Sequence, residues 1–133
     1  MNFLLDNNLS IYLAHALGIL SFPDGYLVKH LSEEFPNDIG DIPLLEELSD
    51  RRDWALVTID RGIRRHPHER LAWKESNVPI FWLVKSWQHI EQWDFAWKLI
   101  RRWPKIVSRV KRSRGIVGYR VFVNRAKIEE IRP

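Results

Sequence analysis

The sequence predicts an α/β domain built on a mostly parallel central sheet flanked by helices, and three observations lead there. Short apolar runs at residues 3–5, 26–28, 54–59 and 79–84 have the length of buried strands. Segments with apolar residues three and four apart separate them, as in alternating strands and helices. Two of the runs end directly on an aspartate, Asp6 and Asp60.

Each element has its own local reason. Ser10 can cap a helix whose apolar positions are Leu9, Leu13, Ala16, Leu17 and Leu20. Phe22-Pro23-Asp24-Gly25 reads as a turn, and residues 32–40 as a polar loop. Asp41 stands where an N-cap is expected, with Pro43 in the first turn and Ile42, Leu45 and Leu48 as the buried stripe. Pro67 starts a helix that runs to about Asn77. A long helix from Gln88 carries Ile90, Trp93, Ala96, Trp97 and Ile100 inward. Pro104 is expected to end or kink it, with a restart through Ile106, Val107 and Val110. Gly115 and Gly118 bracket a turn before an edge strand at residues 119–123.

With 133 residues, no internal repeat and no linker composition, residues 1–133 form a single domain. The absence of cysteine excludes disulfide scaffolds, zinc ribbons and thiol catalysis. No apolar run approaches the roughly 18 residues of a membrane span, and Asp6 interrupts the N-terminus where a signal peptide would be apolar. A cytoplasmic protein with no membrane partner is expected. There is no glycine-rich phosphate loop of the dinucleotide or Walker type, which argues against a nucleotide-handling enzyme.

The net charge of +4 hides an asymmetry. Residues 98–133 hold twelve Lys/Arg against two Glu, a net +10, while the other 97 residues carry nine bases and fifteen acids, a net −6. A basic C-terminal helix and strand on an acidic body points to an anionic partner such as nucleic acid, although a solvated basic helix reads the same way. Residues 109–114 are the expected electrostatic footprint.

Asp6 and Asp60 should emerge at the carboxyl ends of their strands, where open parallel sheets bind ligands. Asp41 faces the same rim if its helix runs back along the sheet, although taken alone it reads more readily as an N-cap. Three carboxylates about 5 Å apart repel by roughly 3 kcal/mol per pair at an effective dielectric of ~20. A hard divalent cation, Mg²⁺ or Mn²⁺, is the natural occupant, and it would let a bound water attack a phosphodiester. Arg61, Arg64 and Arg65 follow Asp60 and are expected to hold flanking phosphates. His66 and His68 read as surface groups rather than metal ligands. Of the seven tryptophans, Trp93 and Trp97 have core spacing, Trp54 and Trp82 lie on strands, and Trp103 beside Arg101 and Arg102 is a candidate for base stacking.

The opening Asn2-Phe3-Leu4-Leu5-Asp6-Asn7-Asn8-Leu9-Ser10 resembles that of small bacterial PIN-like domains. Leu56-Val57-Thr58-Ile59-Asp60-Arg61 resembles their strand-Thr-x-Asp motif. His66-Pro67-His68-Glu69-Arg70 through Phe81-Trp82-Leu83, with the tryptophan-bearing helix after it, resembles the toxin-related VapC45-like subgroup. The resemblance implies a single PIN-like domain, a Mg²⁺- or Mn²⁺-dependent nuclease acting on RNA, an antitoxin protein as partner and a homodimer. By position Asp6 and Asp60 match the family's first and third acids, and Asp41 the middle one, with Asp38 and Glu46 as competitors. Thr58 joins Arg61, Arg64 and Arg65 as a substrate-binding position. Related sequences often carry a second Asp where this chain has Gly62, and Glu69 is the residue that could replace it as a metal ligand. The alternative is a catalytically weakened PIN-like domain that binds nucleic acid or protein without cleaving.

Overall fold

Six strands share one sheet in the order β2-β1-β3-β4-β5-β6. They are β1 Asn2–Leu5, β2 Val28–His30, β3 Trp54–Ile59, β4 Ile80–Leu83, β5 Gly118–Val121 and β6 Ile128–Ile131. The first five run parallel, and β6 closes the edge antiparallel to β5. The computed structural model describes residues 1–59, 62–112, 115 and 117–133.

Alternation along the strands divides the core into two layers. Phe3, Leu5, Val57, Phe81, Tyr119 and Val121 face α1 (Ile11–Ser21) and α5 (Gln92–Arg112). Leu4, Leu56, Ile80 and Trp82 face α3 (Asp41–Arg51) and α4 (Pro67–Ser76). Full burial of β3 on both faces explains why it reads as a continuous apolar run rather than an alternating one. Trp73 of α4 meets Trp82 edge to face with ring centres 5.0 Å apart. Both rings lie over Gly118, where a Cβ would come 2.8 Å from Trp73.

Ser10 caps α1 as expected, accepting from the backbone N–H groups of Tyr12 and Leu13. The turn at Phe22–Asp24 is a 3₁₀ turn closed by Gly25 in the left-handed region at φ 83°. Helix α4 starts at Pro67 and ends on Asn77, also left-handed.

Several expectations are corrected. Leu20 is exposed, because α1 buries Leu13, Ala14, Leu17 and Ser21 instead. The second strand starts two residues later than expected, at Val28. The supposed loop after it opens with a short helix, α2 (Leu31–Glu34), whose N-cap is His30. A reciprocal pair of hydrogen bonds between His30 and Glu33 builds this helix, a capping box with an unusual cap residue. Gly40 caps α3, so Asp41 is its first residue rather than its cap, and Leu44 takes the place of Ile42 in the buried stripe.

The largest correction concerns α5. Residues Lys85–His89 form a 3₁₀ segment, and α5 starts at Gln92 and continues through Pro104. Its buried stripe, Leu99, Trp103, Ile106, Val107 and Val110, holds the helix on the sheet despite the missing proline N–H. At about 100° per residue, Trp93 and Trp97 fall roughly a quarter-turn or more from that stripe. They are exposed at 80% and 52%, while Trp103 is buried. The expected roles of these tryptophans are therefore exchanged. Strand β5 is internal rather than an edge, because the charged Ile128–Ile131 segment pairs outside it.

Candidate functional site

The strand order reverses between β2-β1 and β3-β4, which makes the carboxyl ends of β1 and β3 the topological switch point of the sheet. Asp6 stands there. Its N–H extends the ladder to the Val57 carbonyl at 2.9 Å, and its own carbonyl accepts from Leu9 N–H at 2.9 Å, turning the chain into α1. The side chain is 2% exposed. Oδ1 accepts from the Asn7 N–H at 2.7 Å, and Oδ2 accepts from the Thr58 hydroxyl at 2.6 Å.

Asn8 ties the other side of this junction. Its Nδ2 donates to the Ile59 carbonyl at 3.0 Å and to Thr58 Oγ1 at 3.3 Å, while its Oδ1 accepts from Ile59 N–H at 3.3 Å. The amide thus imitates a neighbouring strand and fixes the end of β3 directly before Asp60. Asn7 reaches across to the Asn37 carbonyl at 2.9 Å. Asp6, Asn7, Asn8, Leu31, Asn37 and Ile39 line a cavity of about 220 Å³. The double asparagine after Asp6 was the available sign of this brace, and its structural use was not read from the sequence.

Helices α3 and α4 both connect parallel strands, so their N-termini return to the same rim. Asp41 is the first residue of α3 and Glu69 lies in the first turn of α4, where helix dipoles favour negative charge. Their neighbours Ile42 and His68 line one cavity of about 500 Å³, which brings the two helix ends side by side. Asp38 and Glu46, the competing middle acids, are exposed. Glu69 keeps Oε2 buried with no hydrogen-bond partner among the described residues. A buried carboxylate oxygen without a donor is a hard ligand that suits a divalent cation. Among the described residues, no three His, Cys, Asp or Glu side chains form a metal-sized group. Asp60 and Arg61, which the expected set requires, lie outside the described residues.

Thr58 is fully buried and its hydroxyl donates to Asp6 Oδ2. Arg64 lies over the Trp82 ring, with its guanidinium carbon 5.5 Å from the ring centre, and Arg65 is exposed beside it in the chain. His66 and His68 are exposed.

Three cations of α5 are engaged within the protein. Arg102 donates to the carbonyls of Val123 (2.7 Å) and Arg125 (3.4 Å). Lys105 donates to Ala126 (2.8 Å) and Arg109 to Ile128 (3.1 Å). Burial pushes the Arg102 guanidinium below its ordinary value, with neighbouring Arg101 adding to the effect. These three cations fasten the β5–β6 connection; of the expected footprint at residues 109–114, Lys111 and Arg112 are exposed and Arg114 lies outside the described residues.

A family model described as PIN like domain matches residues 1–85, more than half of the chain. The chain belongs to the PIN-like domain family. No curated protein and no solved structure matches it. The match covers the switch point of this PIN-like domain, β1 through β4, together with Asp6, Asp41, Thr58 and Glu69. No helix among the described residues is long and apolar enough to cross a membrane.

Proposed function

We propose that this PIN-like domain is a metal-dependent ribonuclease and the toxin component of a toxin–antitoxin pair of the VapC45-like kind. One observation carries the reading: a nearly fully buried carboxylate, Asp6, is held by Thr58 at the switch point of a PIN-like sheet. A carboxylate has no packing use there, and its oxygen ligands suit a hard cation. Asp6, Asp41, Asp60 and Glu69 would hold Mg²⁺ or Mn²⁺, which when bound supplies the Lewis acidity for hydrolysis of an RNA phosphodiester.

The chain's own residues supply placement. Thr58 holds one oxygen of Asp6 and the Asn7 N–H holds the other, so the carboxylate cannot swing. Asn8 fixes Ile59, the last residue of β3. Arg61, Arg64 and Arg65 serve as the phosphate-holding group next to these acids. The test is Asp6→Asn assayed on purified RNA with Mn²⁺. Cleavage should be abolished with an unchanged far-ultraviolet circular dichroism spectrum, and retained cleavage would remove the mechanism.

A second reading, a domain that binds without cleaving, is favoured by Gly62 at the position where related sequences often carry an acid. Calorimetric titration with Mn²⁺ separates the two. A nuclease binds the ion in a manner that Asp6→Asn weakens, whereas a binding module shows no such dependence.

A further inference from the structure

Beyond residue 85 the chain lies outside the family match, and it brings a feature of its own to the same sheet. The register places Thr58 beside Trp82 and Trp82 beside Arg120. With the Thr58–Asp6 hydrogen bond, this makes one lateral row, Asp6–Thr58–Trp82–Arg120, across four adjacent strands. Adjacent strands lie about 4.8 Å apart, so Arg120 stands two spacings, about 10 Å, from Thr58. Arg64 lies over the indole between them.

Directly after β5, Phe122 carries two guanidinium groups, Arg120 at 5.2 Å and Arg125 at 3.8 Å from its ring centre. Arg120 is half-exposed and pairs with Glu129 at 3.3 Å. Arg125 is exposed and has no carboxylate partner among the described residues. A guanidinium resting on an aromatic ring keeps its N–H edges directed outward, the arrangement that grips phosphate oxygens.

We propose that Arg120 and Arg125 form a phosphate-binding track for single-stranded RNA, leading from the acidic site past Arg64 to the ends of β4 and β5. The ligand class rests on the ribonuclease reading; the track itself rests on the two guanidinium groups that share the Phe122 ring, since Thr58 and Trp82 of the row are buried beneath the surface. A flexible polyanion fits cations spaced along a sheet edge, and Arg102, Lys105 and Arg109 are already engaged by backbone carbonyls.

The experiment measures anisotropy of a fluorescein-labelled ten-nucleotide single-stranded RNA, in EDTA and on an Asp6→Asn background so that nothing is cut. Arg120→Gln and Arg125→Ala should each weaken binding several-fold and lower the slope of log affinity against log salt by about 0.7. Arg101→Ala removes the same charge from an exposed site on α5 and should change affinity less than about twofold. Urea midpoints establish that the variants fold, and exposed Arg125 keeps the test decisive if Arg120→Gln disturbs its pairing with Glu129. Unchanged slopes in both variants, or an equal loss in Arg101→Ala, overturn the track. So does binding of an oligoglutamate peptide that depends on Arg125 while RNA binding does not. Cleavage of RNA by the unmodified protein with Mn²⁺ is measured separately, so a failed nuclease and a failed track give different results.

Discussion

The hydroxyl of Thr58 and the carboxylate of Asp6, residues 52 apart in the chain, meet at 2.6 Å with both side chains buried. This contact joins β1 to β3 at the one place where the sheet order reverses. It leaves Asp6 with a defined orientation and little freedom to choose another.

Replacing Thr58 with valine keeps the shape and removes the donor. A buried carboxylate oxygen then loses its hydrogen bond, at a cost of about 1–3 kcal/mol. RNA cleavage should fall by about 10–100-fold, as when the outer partner of a metal ligand is lost. Thr58→Ser restores the hydroxyl and should recover most of the activity. Urea midpoints and single-turnover cleavage rates measure the two effects.

Gly118 is required by the two indoles above it. A methyl group there meets both Trp82 and Trp73, which are themselves fully buried and cannot retreat. Gly118→Ala should destabilise the protein by at least about 1–3 kcal/mol, the usual range for overpacking. The urea midpoint should fall while the slope of the transition is preserved.

Glu33 links stability to acid. The His30 backbone N–H and then the His15 ring hold its carboxyl below the ordinary value of 4.5. A carboxyl depressed on folding contributes stability that is fully present above 4.5 and is lost as pH falls through the lower folded value. Urea midpoints of the unmodified protein and Glu33→Gln should therefore differ at pH 6, and the gap should shrink as pH falls below 4.5 through the lower folded value. A constant gap across that range would contradict the assignment.

Arg102 fastens the connection after β5 through the Val123 carbonyl, with its guanidinium 5.7 Å from the Trp87 ring centre. Arg102→Ala should cost roughly 2 kcal/mol, typical of a hydrogen bond to a charged group. Its effect on the salt dependence of RNA binding should be small, since this cation already has its acceptors. Arg102→Lys should restore only part of the stability, because an ammonium cannot reproduce the planar fork.

Local chemistry made much of this fold legible. Apolar runs marked β1, β3 and β4, Ser10 marked the start of α1, and Pro67 with Asn77 marked both ends of α4. Each signal is carried by residues within one turn or one strand. The opening nine residues likewise pointed to the family that the comparison establishes. Tertiary structure alone decided the rest. Whether Trp93 or Trp103 is buried depends on the phase of α5 against the sheet, which two residues four apart do not set. The engagement of Arg102, Lys105 and Arg109 was not readable, because their acceptors, the carbonyls that follow β5, carry no side-chain signature. Strand β6 is half charged and holds its place through backbone pairing with β5. The hydrogen bond from Thr58 to Asp6 follows the same logic. The motif around Thr58 was readable in the sequence, but the direction of its hydroxyl is set by the register between two strands that only folding brings together.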